Sequence, residues 1–166
     1  MKQVVNEFSR PLIVDRVPAL GSHERIAADE KECTALAKRQ GLPRIHALGG
    51  LLKAEPWRGG GLKITGTLNA RVDQVSVISL ETFTSDLEFA VERYFLSPRA
   101  GKPGDEEDVD IIENGSVDLG EILAETMALE LDPYPRKAGE AFNDLEDQPE
   151  SAKVSPFTAL SKLRRS

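Results

Sequence analysis

The sequence predicts an α+β domain: a twisted, mostly antiparallel sheet drawn from residues 4 to 96, two main helices packed on it, and a flexible C-terminal tail. Three observations carry this. Apolar residues recur with a period of two from Arg44 to Phe95, the mark of strands with one buried face. A helical period appears in two shorter segments, each opened by a capping residue and closed by Gly or Pro. At 166 residues the chain suits one core and is too short for two comfortable domains. A single domain over 1–135 is therefore expected, with a largely disordered tail over 136–166. The pattern leaves open whether the sheet stays open or curls toward a barrel.

In chain order, Phe8, Leu12, Ile13, Val14 and Val17 are interrupted by Arg10-Pro11, which suits two short strands or one strand with an edge bulge. Asp29 and Glu32 have capping-box spacing, and Cys33, Leu36 and Ala37 form one apolar stripe before Gly41 and Pro43 stop the helix. Cys33 is thus expected in the core. Between the Ile45–Leu52 segment and the next strand, Gly59-Gly60-Gly61 supplies the positive φ of a hairpin loop. Leu62, Ile64, Gly66, Leu68, Ala70 and Val72 share one face of that strand. In the strand after it, Leu87, Phe89, Val91 and Phe95 face the core, with Glu88 and Glu92 pointing away.

Residues 97–110, with Pro98, Gly101, Pro103, Gly104 and an acidic run, read as a solvated loop. Asn114-Gly115-Ser116 matches a glycosylation sequon, but in a cytoplasmic chain it reads as a turn. The second helix opens on Asp118, with Glu121 three residues on, carries Leu119, Ile122, Leu123 and Met127 at helical spacing, and ends at Pro133-Tyr134-Pro135. Beyond Arg136 large apolar residues are too sparse to offset ordering entropy, so 136–154 is expected to be disordered. In 155–163, Ser155, Pro156, Phe157, Leu160 and Leu163 have the pattern of a short amphipathic docking helix.

A formal net charge of −7 opposes phosphate binding, yet the acidity is local. Residues 103–135 hold eleven of the 28 acidic side chains and no Lys or Arg, while residues 1–102 carry 15 basic against 12 acidic. The acidic block reads first as a solvated face and second as an interaction surface. The single cysteine excludes an intrachain disulfide and suits a reducing cytoplasm. Asn6, Glu7, Arg10 and Asp15 break the apolar run that a signal peptide would need, and no segment is long enough to span a membrane.

The chemistry-bearing residues assemble no catalytic motif. His23 and His46 are the only histidines and lack metal-binding spacing, so no metal or cofactor is expected. Ser76 and Ser79 lack a nucleophile-elbow motif, and the triglycine lacks the ending of a phosphate loop and precedes a strand. Glu121 and Glu125 share a helix face, where solvent exposure explains them better than acid–base work. Arg93, Arg99 and Lys102, close to Tyr94 and Phe95, are the candidate RNA contacts, although a strand running into a charged loop looks the same.

Four stretches carry a family resemblance: EFSRPLIVDRVP (7–18), GGGLKITGTLNARVDQVSVISLETF (59–83), VDLGEILAETMALELDPYPR (117–136) and SPFTALSKL (155–163). In that order they resemble the YceD family, in a form like that of alphaproteobacteria, over nearly the whole chain. The family is associated with accumulation of large-subunit ribosomal RNA. Where its pattern runs Gln, one residue, Cys and then a Thr-Leu-Glu-Pro-like stretch, this chain has Gln74, Val75, Ser76 and then Ser79-Leu80-Glu81-Thr82. Ser76 thus replaces the thiol that a proposed metal in this family would use.

The resemblance implies a process rather than a reaction. The leading expectation is a cytoplasmic, non-catalytic factor supporting processing or accumulation of large-subunit ribosomal RNA. Its partner would be that RNA or a basic ribosomal protein, the latter suiting the acidic helix better. The candidate partner-binding residues are Asp118, Glu121, Glu125, Asp132 and Tyr134; the family-motif surface is Gln74, Ser76, Leu80 and Glu81. The alternative is a protein–protein adaptor without direct RNA contact, docking through 155–163. A hydrolase or transferase ranks last.

Overall fold

Helix α1 (Glu30–Gln40) begins at a complete capping box, in which Asp29 Oδ1 accepts from the Glu32 amide and Glu32 Oε2 accepts from the Asp29 amide, both at 2.8 Å. It ends where Gly41 takes the left-handed conformation, φ 67°. Cys33, Leu36 and Ala37 make its buried stripe, as their spacing predicts. The computed structural model describes residues 6–101 and 108–140, so the 155–163 segment lies outside the described residues.

Three long strands dominate: β3 (Arg44–Trp57), β4 (Gly61–Val75) and β5 (Thr82–Leu96). They pair antiparallel in sequence order within a five-stranded sheet whose order is β2-β3-β4-β5-β6. The sheet is open rather than a barrel. The β3–β4 turn uses Gly59 and Gly60 at φ 59° and 80°, values that cost a residue with a Cβ but not glycine. Alternation along β4 then buries Leu62, Ile64, Leu68, Ala70 and Val72, while Glu88 and Glu92 of β5 stay exposed.

Two strands depart from the expected layout. β2 (Ser22–Ala27) pairs antiparallel with β3, although its charged sequence carries too little apolar alternation to announce a strand. β6 (Val109–Ile111) lies inside the stretch read as a solvated loop and runs parallel to β5, pairing only with Tyr94, Phe95 and Leu96. The N-terminal segment contributes one short strand, β1 (Pro11–Ile13), followed by a 3-10 turn. It pairs with β7 (Ser116–Asp118) in a separate two-stranded sheet instead of joining the main one. Asn114 and Gly115, φ 52° and 69°, form the tight turn leading into β7, as the turn reading expected.

Helix α2 (Leu119–Glu130) follows β7 directly. Leu119, Ile122, Leu123 and Met127 are buried, and together with Leu36, Leu48, Leu52, Leu62, Ile64 and Leu68 they form one core between the helices and a single face of the main sheet. Burying a large aliphatic side chain contributes roughly 1.5–3 kcal/mol, so this layer is the main source of stability. The helices are tied side by side: Arg39 donates to Glu121 through both guanidinium nitrogens, 3.1 and 2.7 Å, and Gln40 Nε2 donates to the Ala124 carbonyl at 3.0 Å. The opposite sheet face carries no helix among the described residues. No described helix is long and apolar enough to cross a membrane.

Candidate functional site

At one end of the sheet the fold joins two segments more than fifty residues apart. Between β4 and β5, residues 76–81 form a compact turn around Ser76. Its amide donates to the Glu81 carbonyl at 2.9 Å, its carbonyl accepts from Leu80 at 3.0 Å, and its Oγ accepts from the Ile78 and Ser79 amides at 3.2 and 3.4 Å. Such local hydroxyl bonds favour turns over strands. After α2, Leu131 turns extended, Asp132 Oδ1 accepts from the Tyr134 amide at 2.8 Å, and Pro133 and Pro135 prevent the helix from resuming.

The two segments then lock together. The Val77 amide donates to the Pro135 carbonyl at 3.0 Å, Lys137 Nζ reaches Glu81 at 3.3 Å, and Ser76 Oγ donates to the Glu140 carboxylate. Glu140 also accepts from the Lys137 amide at 3.2 Å. The Ser76 hydroxyl, followed by Ser79 and Lys137, holds the Glu140 carboxyl below the usual carboxylate range. Residues 136–140, the start of the segment expected to be disordered, thus lie against the turn.

This geometry corrects part of the expected motif surface. Ser76 is completely buried and holds the turn through its hydroxyl rather than facing a partner, while Gln74, also buried, lines the groove beside the turn. Inward alternation from Val72 through Gln74 to Ser76 is the reason. Leu80 and Glu81 do lie on the surface. Leu80 is 76% exposed and adopts φ 61°, a left-handed conformation that costs a branched side chain roughly 1–2 kcal/mol.

The expected partner-binding residues also divide. Asp132 and Tyr134 are exposed, Tyr134 by 68%. Asp118, Glu121 and Glu125 are only half-exposed and are engaged within the fold. Asp118 caps α2 through the Gly120 and Glu121 amides and also accepts from the Arg10 amide at 2.8 Å, Ser9 Oγ at 2.7 Å and Asn6 Nδ2 at 3.1 Å. Burial pushes its pKa up, but those donors, the Arg10 amide foremost, hold it below the ordinary value. Glu121 pairs with Arg39, whose pKa its hydrogen bond raises, and Glu125 pairs with Arg93 at 2.9 Å. Solvent exposure is therefore not what accounts for the Glu121–Glu125 face.

Beside the joined segments runs an open groove of ≈ 460 Å³ lined by Leu42, Pro43, Val75, Leu131, Pro133 and Pro135, among others. Val75 at the end of β4, Val77 and Leu80 in the turn, Leu129 in the last turn of α2 and Tyr134 in the segment after it are exposed large apolar side chains. Sequence reasoning missed Val75, Val77 and Leu129. Only the outward phase of β4, carried past its end to Val77, and the last turn of α2 distinguish them from core residues.

The expected RNA contacts fare differently again. Arg93 is clamped between Asp110 and Glu125, so its charge is neutralised within the fold. Phe95 is buried; Tyr94 turns to the opposite face. Arg99 is exposed on a short 3-10 turn, and Lys102 lies outside the described residues. His46 occupies a bulge in β3 and donates through Nε2 to Asp73 at 2.8 Å. The Cys33 thiol is buried, and burial raises its pKa. Among the described residues no group of three or more His, Cys, Asp or Glu side chains is placed to hold a metal.

A family model described as "Large ribosomal RNA subunit accumulation protein YceD" matches residues 64–164. That span runs from within β4 through the 76–81 turn, α2 and the docked 131–140 segment. Neither a curated protein nor a solved structure matches the chain.

Proposed function

The chain belongs to the YceD family of large ribosomal RNA subunit accumulation proteins, and from that premise we propose that it is a cytoplasmic, non-catalytic factor supporting the processing or accumulation of large-subunit ribosomal RNA. The observation that carries the reading is the convergence of the Gln74–Glu81 and Leu131–Glu140 segments into one built surface. Hydrogen bonds from buried Ser76 spend the segment's chemistry on shape. What is left outside is an apolar patch with Asp132 and Glu81 at its margin. Apolar anchors inside a polar rim are the anatomy of a protein interface, and the exposed Asp132 carboxylate, unlike Glu81 with Lys137 beside it, favours a basic ribosomal protein over phosphate.

Depletion of the protein in its host, followed by measurement of the ratio of mature large-subunit to small-subunit ribosomal RNA, tests the role. A selective fall in the large-subunit RNA is expected; an unchanged ratio refutes it. Co-purification then identifies what the surface holds, and substitution of Leu80 and Tyr134 together is expected to release it. A second reading, a protein adaptor without RNA contact, is favoured by the neutralisation of Arg93. Absence of RNA binding at low salt would select it.

A further inference from the structure

The sheet face turned away from the helices carries the chain's only tryptophan, Trp57 of β3, beside Tyr94 of β5. Their ring centroids are 4.9 Å apart with planes tilted by 55°. The Arg58 guanidinium lies 5.1 Å from the centre of the Trp57 ring, and Lys63 Nζ lies 5.3 Å from that of Tyr94. Between them opens a cleft of ≈ 540 Å³ lined by Trp57, Arg58, Glu92, Tyr94 and Asp108. That size lies within the ~300–1,000 Å³ typical of small-ligand sites. Strand alternation explains the grouping: Tyr94 pairs with Lys63, and Glu92, two residues earlier, points to the same face. Tyr94 Oη donates to Glu92 Oε1 at 2.6 Å, which fixes the carboxylate at the edge of the rings.

Aromatic rings on an open sheet, partnered by cations, are how single-stranded nucleic acid is held by stacking. The carboxylates decide what kind of base fits. They repel phosphate and any base edge presenting an acceptor, so a uniform backbone groove is excluded. Guanine alone offers two adjacent donors, N1–H and N2–H, on its Watson–Crick edge, and a single carboxylate can accept both. Adenine and cytosine each set an acceptor beside their amino group, and uracil sets carbonyls around its one N–H.

We infer that the Trp57–Tyr94 cleft binds an unpaired guanine of single-stranded RNA, with the rings stacking the base, Glu92 accepting from its Watson–Crick edge, and Arg58 and Lys63 holding the flanking phosphates. This deepens the ribosomal RNA reading and rests on it. It assigns the RNA contact to a different face from the joined-segment surface.

Because Trp57 is the only tryptophan, its fluorescence reports the site directly. The full chain would be titrated with six-nucleotide RNAs bearing one guanine, adenine or cytosine among uridines, and with all-uridine RNA. Quenching is expected with guanine-containing RNA, at least fivefold tighter than with the others. With two phosphate contacts the slope of log K against log salt should be shallow, about −1.4 at roughly 0.7 per contact. Glu92→Gln, an exposed change, should erase the guanine preference while all-uridine binding is kept or improved, and Tyr94→Ala should weaken binding at least tenfold. If Tyr94→Ala unfolds, Lys63→Ala, with an expected loss of about threefold, replaces it. Equal binding of all four RNAs, or an unaltered preference in Glu92→Gln, overturns the guanine assignment; no quenching by any RNA overturns the site. The depletion experiment stands apart: a changed RNA ratio without guanine binding sinks only this inference, and guanine binding without a changed ratio sinks only the family role.

Discussion

Replacing Asp118 by alanine should unfold more of this protein than any other single change to its acidic residues. The carboxylate accepts five hydrogen bonds, from the side chains of Asn6 and Ser9 and from the amides of Arg10, Gly120 and Glu121. Loss of a helix cap costs about 0.5–2 kcal/mol, and the Arg10 amide, left in a part-buried site without an acceptor, costs about 1–3 kcal/mol more. Because the bonds share one side chain the terms overlap, and about 3 kcal/mol is the expected total. With a urea m-value of ~1–3 kcal/mol/M, the midpoint should fall by about 1–3 M.

Asp118→Asn keeps an acceptor for the amides and should lose only about 1 kcal/mol, the part owed to charge. The folded pKa of Asp118 is depressed, so that part is present above the unfolded value of about 3.9 and is lost as pH falls through the folded value. The gap between wild type and Asp118→Asn should therefore close at acid pH. Urea unfolding followed by circular dichroism across pH checks both statements. A loss under ~0.5 kcal/mol in Asp118→Ala, or a gap indifferent to acid, would refute the assignment of Asp118 to the fold and return it to the partner surface.

Three further outcomes are expected. Gly120→Ala should destabilise by about 1–3 kcal/mol in thermal unfolding despite alanine's better helix propensity, since a Cβ would stand 2.4 Å from the Phe8 carbonyl oxygen. Leu80→Gly should leave stability unchanged or raise it by up to about 1 kcal/mol by relieving the left-handed strain, while weakening whatever partner co-purifies with the protein. Arg93→Met leaves Glu125 and Asp110 without their shared cation, so amide exchange in β6 should quicken selectively, with global stability lowered by only about 1 kcal/mol because the pairs are partly exposed.

The elements with strong local signals were legible from the residues. The Asp29 capping box, the triglycine turn and the alternation of β4 each act within a few residues, and each is where its chemistry says. β2 and β6 were not legible, because their strand character is imposed by neighbours: Ser22–Ala27 is held by the long edge of β3, and Val109–Ile111 by the end of β5. The same limit governs the site. Asp118 was legible as the cap of α2 but was also placed on the partner surface, because the sequence does not show Arg10 arriving at its side. Ser76 looked like an exposed motif residue, although the inward phase of β4 carries on to it, because the sequence does not show Glu140 arriving at its hydroxyl. Trp57 and Tyr94 lie 37 positions apart and meet only through the registers of two hairpins.

The short reach of β6 leaves much of β5 without a strand beside it among the described residues. Among the described residues β6 touches only Tyr94, Phe95 and Leu96, so from Thr82 to Arg93 the outer backbone groups of β5 have no strand beside them. Such an edge is a template on which another chain can add a strand. Here it is flanked by Asp86, Glu88 and Glu92, all exposed and none of them buried on pairing with β4. Two copies brought edge to edge would confront Glu88 and Glu92 with their own counterparts, Asp86 being paired with Arg71 at 3.8 Å, and that repulsion disfavours edge-to-edge association at neutral pH.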